Sequence, residues 1–436
     1  MPYDIIIGRS ESDKKLFGNR GLIYLGKSYV SMGQYTSLSN PIYLDVARSH
    51  VVLVSGKRGS GKSYTLGAIA EAISSLPKEE SQNLCPLMFD TMGIFWTMKF
   101  KNQKDKKLLD EWGLKAQNIP IKVFAPFGYF QEYKDKGIPV DAEFGIKISE
   151  LQPDDWISLF GLQFIDPVAV VIEEAISDLR EKGSFNFEDI YTRISNVKTA
   201  SEEIKNSAKS LFGAAKTWKV FSESKGIEIK DLVTPATSTV IDLSMYSSIG
   251  TFNVRALIIG LVCRKLFEER MSSRRNEEIQ AVQHGIDYLY FNQKREMPLV
   301  WIIIDEAHEF LPKEGKTPAS DALIQLLREG RQPGISLILA TQQPGKIHTD
   351  ALTQADIVLS HRVTAQLDVQ ALNEIMQSYL FEGIKSKLDN LPKLRGSAII
   401  LDDNSERIYP MRVRPRFTWH GGEAPTAVKI DQENRI

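Results

Sequence analysis

Cysteine is nearly absent: Cys85 and Cys263 are the only two in 436 residues, and they lie in unrelated segments. That excludes a disulfide framework and a cysteine-based zinc site, and it fits a reducing, cytoplasmic setting. Long hydrophobic runs are missing too. The longest, around Ala256–Cys263, is far short of a membrane span. The N-terminus, MPYDIIIGRSESD, has too short an apolar core and too many early charges for a signal peptide. Neither sign of charge is in excess: 54 Lys+Arg face 55 Asp+Glu, for a net charge of −1. Any nucleic-acid contact must therefore be local. The six histidines are scattered, and His308 reads as part of a strand-exit loop rather than as a metal ligand. A hydrophobic fraction of 42% and a charged fraction of 25% are ordinary for a globular chain. The length allows roughly two to three compact units.

Against this plain background one segment stands out. Val51–Thr65 reads VVLVSGKRGSGKSYT, a β-branched run turning directly into Gly56-Lys-Arg-Gly-Ser-Gly-Lys-Ser63. Strand, glycine loop and helix start occur in the order that a phosphate-binding loop requires. Gly56, Gly59 and Gly61 let the backbone curl with its N–H groups pointing inward. The helix that follows adds the positive end of its dipole. Lys62 supplies a point charge for the β- and γ-phosphates, and the Ser63 hydroxyl can hold Mg²⁺. Arg58, Gly59, Ser60, Gly61, Lys62, Ser63 and Tyr64 form the candidate nucleotide-binding stretch, with the Arg58 side chain expected toward solvent or a partner.

A second segment complements the first. Pro298–Glu306 reads PLVWIIIDE, an apolar run of the kind buried on both faces of a parallel sheet, ending in two carboxylates. Asp305 is expected in the Mg²⁺ shell beside Ser63, and Glu306 at the γ-phosphate, polarising a water for attack. The two segments together predict hydrolysis of ATP or GTP.

Strands such as Ile121–Pro126 alternate with helices such as Ser320–Glu329 along most of the chain, which predicts an α/β fold with a mostly parallel, doubly wound sheet and the phosphate loop at its carboxyl edge. Residues 1–45 read as a short β-rich element, with apolar runs at Asp4–Gly8, Gly21–Leu25 and Tyr29–Met32 separated by glycine and polar turns. Residues 46–147 hold the phosphate-loop half of the core, and 148–235 read as a helical insertion. Residues 236–422 carry the rest of the core, and 423–436 form a tail. Lys99–Lys107 is lysine-rich and reads as a solvated loop or helix face, with a DNA contact as the alternative. Arg255–Met271 reads as an amphipathic helix, and Ser272–Asn276 as a basic exposed turn.

Two further positions carry assignable chemistry. Gln342 follows the buried run Ile335–Ala340; if that strand neighbours the Asp305 strand, its amide would reach the γ-phosphate and hold the attacking water. The alternative is a polar loop residue. Arg328 and Arg331 end a helix before a Pro-Gly turn. They either complement the helix C-terminus or supply an arginine finger to a neighbouring subunit's nucleotide, Arg331 being the favoured candidate.

Arg58-Gly-Ser-Gly-Lys-Ser63, Asp305-Glu-Ala-His308, Arg328-Glu-Gly-Arg331, Ala340-Thr-Gln-Gln-Pro344, Arg412-Val-Arg-Pro-Arg416 and His420-Gly-Gly422 together resemble the HerA branch of the HerA/FtsK ATPases. The resemblance runs from about Ser37 to the C-terminus and is weakest in the helical region. It implies a RecA-like core and a hexameric ring, with ATP between subunits and double-stranded DNA pumped through the pore. It also implies a nuclease partner in DNA end resection, or a place in anti-phage defence. Lys62 and Ser63 would be the Walker A pair, Asp305 and Glu306 the Walker B pair, Gln342 the sensor and Arg331 the trans finger. About fifty residues precede the phosphate loop, where that family usually carries a longer β-barrel.

Three functions compete on this basis. One is a DNA-translocating or unwinding motor, with Lys99–Lys107 or Arg274–Arg275 lining the pore. A second is a non-motor assembly ATPase controlling an effector nuclease. The third is an export motor of the conjugation type, ranked last because no membrane anchor is visible.

Overall fold

The computed structural model describes residues 3–32, 35–223, 226–248, 253–285, 295–363, 366–375, 388 and 390–423. Of the expected tail, 424–436 lie outside the described residues. The strands are β1 (Ile5–Ile7), β2 (Leu22–Met32), β3 (Tyr35–Asp45), β4 (Val51–Ser55), β5 (Leu84–Asp90), β6 (Ile121–Pro126), β7 (Ala142–Phe144), β8 (Ile146–Lys147), β9 (Phe221–Ser222), β10 (Ser238–Asp242), β11 (Leu299–Ile304), β12 (Ile335–Thr341), β13 (Ile357–His361), β14 (Ser397–Asp402) and β15 (Arg407–Val413). All but β8 and β9 join one sheet of thirteen strands, in the order β1-β3-β2-β15-β14-β13-β4-β12-β11-β5-β10-β6-β7.

The run from β13 to β7 is parallel throughout, which is the doubly wound α/β architecture expected from the alternation of apolar runs. Its central strands are buried on both faces because helices cover both. The Lys62–Ser74 helix packs Leu66, Ile69 and Ile73 on one face, with Val52, Val54, Ile303 and Ile338. The Val254–His284 helix packs Leu257, Leu261 and Leu266 on the other, with Leu53, Phe89, Ile302 and Leu337. Alternate residues of one strand thus feed opposite cores, as the period of two requires.

Beyond β13 the pairing turns antiparallel through β14, β15, β2 and β3. The strands of the first 45 residues therefore extend the main sheet rather than standing in front of it, joined by Met411↔Ser28 in β15 and β2. The runs read as Gly21–Leu25 and Tyr29–Met32 form one strand. Gly26 reads as a turn in sequence, but it lies at an irregularity in the ladder, and a Cβ there would meet the Arg412 carbonyl oxygen at 2.2 Å. Close backbone approach, not chain reversal, uses that glycine.

The region 153–216 is helical, at Pro153–Leu159, Pro167–Lys182, Phe187–Ser195 and Glu202–Lys216. Asn186 starts the third of these, accepting from the Glu188 and Asp189 N–H groups while Asp189 caps back. These helices gather around Trp156, whose ring lies 4.9 Å from Phe212 and 5.0 Å from Phe221. Arg264 holds the unit to the long helix through both oxygens of Asp155, at 3.0 and 2.9 Å.

That long helix corrects one expectation. Ser272–Asn276 is not a turn but helix interior, because no breaker follows Met271 until Gly285, at φ 62°. Arg274 lies 3.9 Å from Glu278, and Glu277 faces Arg270 and Arg295. Among the described residues, no helix is long and apolar enough to cross a membrane.

Candidate phosphate-binding site

The glycine loop leaves β4 at the carboxyl edge of the sheet and runs into the Lys62–Ser74 helix. Gly59 and Gly61 have φ of 76° and 117°, a region that other residues avoid. At Gly56 space decides as well: a Cβ would lie 2.5 Å from Ser60 Oγ and 2.7 Å from His361 Cβ. The first helical bond is Thr65 N–H to the Gly61 carbonyl, so the N–H groups of Lys62, Ser63 and Tyr64 have no acceptor within the helix. Ser60 Oγ is buried without a partner. A cradle of unsatisfied donors at a helix N-terminus is chemically an anion site.

Lys62 is 5% exposed, its Nζ 3.5 Å from the Lys57 carbonyl. Burial lowers its pKa, while the carboxylates of Glu306 and Asp305 hold it up. Ser63 Oγ donates to Asp305 Oδ2 at 2.5 Å, across 242 positions of sequence. Asp305 is 2% exposed, and burial raises its pKa against the Ser63 bond. A hydroxyl and a carboxylate side by side below a phosphate cradle are the donors that Mg²⁺ takes alongside phosphate oxygens and water. Among the described residues no cluster of three or more His, Cys, Asp or Glu side chains offers an all-protein cage.

β12 pairs with β11, so Gln342 emerges beside the acids. Its Nε2 donates to Glu306 Oε1, which places the glutamine on that acid rather than in open space. Glu306 has φ 51°, and its Oε2 is buried without a hydrogen bond. His308 Nδ1 is 3.6 Å from that oxygen and 3.1 Å from Thr341 Oγ1. A non-glycine residue held left-handed at the exit of a buried strand is a common mark of a functional site.

Other expected residues lie elsewhere. Arg58 is exposed on the loop. The Tyr64 side chain turns away from the cradle; its hydroxyl accepts from Arg416 N–H at 2.7 Å, and only its backbone stays with the phosphate donors. Arg328 pairs with Asp350 at 2.6 Å. Arg331 is exposed before the start of β12, a strand of seven residues whose far end carries Gln342. That separates it from its own cradle by roughly 20 Å. In the lysine-rich stretch, Lys99 pairs with Asp141 and Lys104 with Glu423, each at 2.5 Å.

Sequence reasoning missed three features. His361, fully buried beneath the loop, donates from Nδ1 to the Ser397 carbonyl at 3.1 Å and accepts at Nε2 from Thr65 Oγ1 at 2.9 Å. Burial pushes its pKa down to about 4, so it stays neutral. Asp90 and Asp242 end the paired strands β5 and β10 in register. Burial, with Asp242 beside it, raises the Asp90 pKa above the ordinary carboxylate range, while the N–H groups of Met92, Gly93 and Phe95 hold it. Third, Glu71 on the back of the Lys62–Ser74 helix receives Arg414 Nη1 at 2.6 Å, the N–H groups of Phe417 and Thr418 at 2.8 and 3.0 Å, and Thr418 Oγ1 at 2.7 Å. A lone acid among alanines in an apolar helix was the available signal.

Comparison with known proteins adds to this geometry. The family model described as "Helicase HerA, central domain" matches residues 29–266, more than half of the chain, and that of zonular occludens toxin (Zot) matches 260–375. The chain is 27% identical over 155 residues to a probable DNA double-strand break repair helicase HerA of Methanocaldococcus jannaschii, covering 33% of this chain and 31% of that one. It is 25% identical over 240 residues to the DNA double-strand break repair helicase HerA of Sulfurisphaera tokodaii, covering 52% and 46%. The chain thus spans between about a third and a half of these relatives. Among solved structures, VirB4 of Thermoanaerobacter pseudethanolicus superposes with a TM-score of 0.55 at 13% identity, covering 90% of this chain and 96% of that one, a likeness of fold.

Proposed function

The chain belongs to the family of the HerA helicase central domain, and from that premise we propose that it is an ATP-hydrolysing motor of DNA. The observation that carries the reading is the meeting of Ser63 and Asp305 at the mouth of the glycine cradle, with Lys62 buried beside them. Ser63 and Asp305 would hold Mg²⁺, which when bound neutralises charge on the β- and γ-phosphates. Lys62 and the free N–H groups of the first helical turn bind and orient the phosphates. Glu306, held by Gln342, accepts a proton from the attacking water.

The relatives are named for DNA double-strand break repair, which supports duplex DNA as the substrate. In this reading the active form is a homo-oligomeric ring, a hexamer by the family resemblance, in which a neighbour's Arg331 completes the site. A nuclease partner and a role in end processing or anti-phage defence belong to the same proposal. The test is ATP turnover of the purified protein with and without linear duplex DNA, with its mass in solution taken alongside. Stimulation by DNA that fades as salt rises supports a motor. Equal turnover with and without DNA at low salt overturns it.

One observation favours a second reading, an assembly ATPase that restrains an effector nuclease. Lys99 and Lys104 spend their charge on Asp141 and Glu423, and the whole chain is nearly neutral. Nucleotide-dependent co-purification with a nuclease, without translocation, would select it.

A further inference from the structure

We propose that the ribose and base of the bound nucleotide sit between the loop ending at Gly396 and the Tyr64–His420 pair, a seat that the motifs above do not assign. The inference rests on the nucleotide reading of the cradle.

Direction comes from sheet order. Asp305, Glu306 and Gln342 lie on β11 and just past β12, on one side of β4. They mark the metal and γ-phosphate end, so the nucleoside leaves the cradle on the other side, toward β13, β14 and β15. What walls that side is the segment before β14 and the chain that follows β15. A Cβ on Gly61 would lie 3.5 Å from the Gly396 nitrogen and 3.6 Å from its Cα, so this loop abuts the cradle directly. The loop is held there by the Val413 N–H on the Gly396 carbonyl and by Arg412 Nε on the Arg395 carbonyl at 3.3 Å.

The side chains suit a nucleoside. Leu394 is 51% exposed, an apolar surface beside a polar cradle, and Arg395 beside it is exposed. Across from them, the Tyr64 ring meets His420 edge-on at 5.2 Å. His420 Nδ1 accepts from Arg416 Nη1 at 3.2 Å, which leaves Nε2 as the hydrogen-bond donor of a neutral ring. Gly396 abuts Gly61 at the base of the cradle and Tyr64 follows three residues later in the first helical turn, so the loop and the Tyr64–His420 pair both adjoin the cradle. A leucine and a guanidinium plane opposite an aromatic pair are the surfaces on which bases stack without sequence reading.

Magnesium tripolyphosphate, which has no base, separates this seat from the cradle. Wild-type protein, Leu394→Asp and Arg395→Ser are titrated with Mg-ATP and with Mg-tripolyphosphate by calorimetry. Both substitutions fall on exposed side chains and leave the packing untouched. The expected result is about tenfold weaker ATP binding in each variant, with tripolyphosphate binding unchanged. Azido-ATP photolabelling should also mark the peptides containing 391–396 or 417–423. Unchanged ATP binding in both variants, or equal loss of ATP and tripolyphosphate, overturns the seat. Failure of the wild type to bind either ligand overturns instead the nucleotide reading beneath it.

Discussion

Replacing Glu71 should cost more than replacing any surface acid, and the structure says how much. Glu71, Arg414 and Arg416 are all 0% exposed, and Glu71 takes four hydrogen bonds from the segment 414–418. Glu71→Ala leaves Arg414 with only the carbonyls of Tyr24, Ala68 and Pro415, and Arg416 Nε already lacks a partner. Removing one member of a buried ion pair costs about 3–5 kcal/mol, most of it the burden of the orphaned charge. With 436 residues the unfolding entropy is roughly 0.9 kcal/mol/K, so the melting temperature should fall by about 3–5 °C. The loss should be local first, so hydrogen exchange should rise at residues 417–420 before the sheet is affected. Replacing the whole triad with Glu71→Leu, Arg414→Met and Arg416→Met should restore part of the stability, because no uncompensated charge then remains. Calorimetry and exchange mass spectrometry on the single and triple variants test this. A Glu71→Ala protein melting within 1 °C of wild type, or a triple variant worse than the single, would refute the account.

Three other outcomes follow from the geometry. Glu306→Gln should lower single-turnover hydrolysis by about 10²–10⁴-fold while ATP still binds; near-normal hydrolysis would move the general base elsewhere. Arg331→Ala should lose turnover by roughly a thousandfold, and mixing it with Lys62→Ala subunits should recover part of it, since each supplies what the other lacks; no recovery argues against a trans finger. His50, buried against Asp356 at 2.5 Å and near Asp45, has its pKa raised from 6.5 to about 9 by those carboxylates, which outweigh the opposing effect of burial. The folded state therefore holds that proton more tightly, so the contribution of about 3 kcal/mol at most is full below pH 6.5 and fades as pH rises through 9. Denaturation of His50→Gln should accordingly differ from wild type at pH 6 and converge with it near pH 10; an equal gap at both would show that the histidine is not held charged.

The fold was legible where local chemistry is unambiguous. Ile121–Pro126 and Ser320–Glu329 begin and end where apolar period and turn residues say they should. The errors came where a local signal has two physical meanings. Gly26 signals a turn, yet serves close approach of two backbones. Ser272–Asn276 looks like a basic turn, yet it lies inside a helix where Arg274 meets Glu278 one turn on. Tyr64 is of another kind: its backbone belongs to the loop as its position implies, while its ring, too large for the cradle, packs on the C-terminal segment.

The sequence alone determined the cradle and the acids. Glycine at φ values closed to other residues, and a strand apolar to its last residue before two carboxylates, are properties of a few consecutive positions. Only the tertiary structure decided what those positions meet. Periodicity marks a buried strand but does not order it among its neighbours, so the approach of Ser63 to Asp305, the grip of Gln342 on Glu306, and the anchoring of 414–418 on Glu71 come from sheet order and packing, which act between residues hundreds of positions apart.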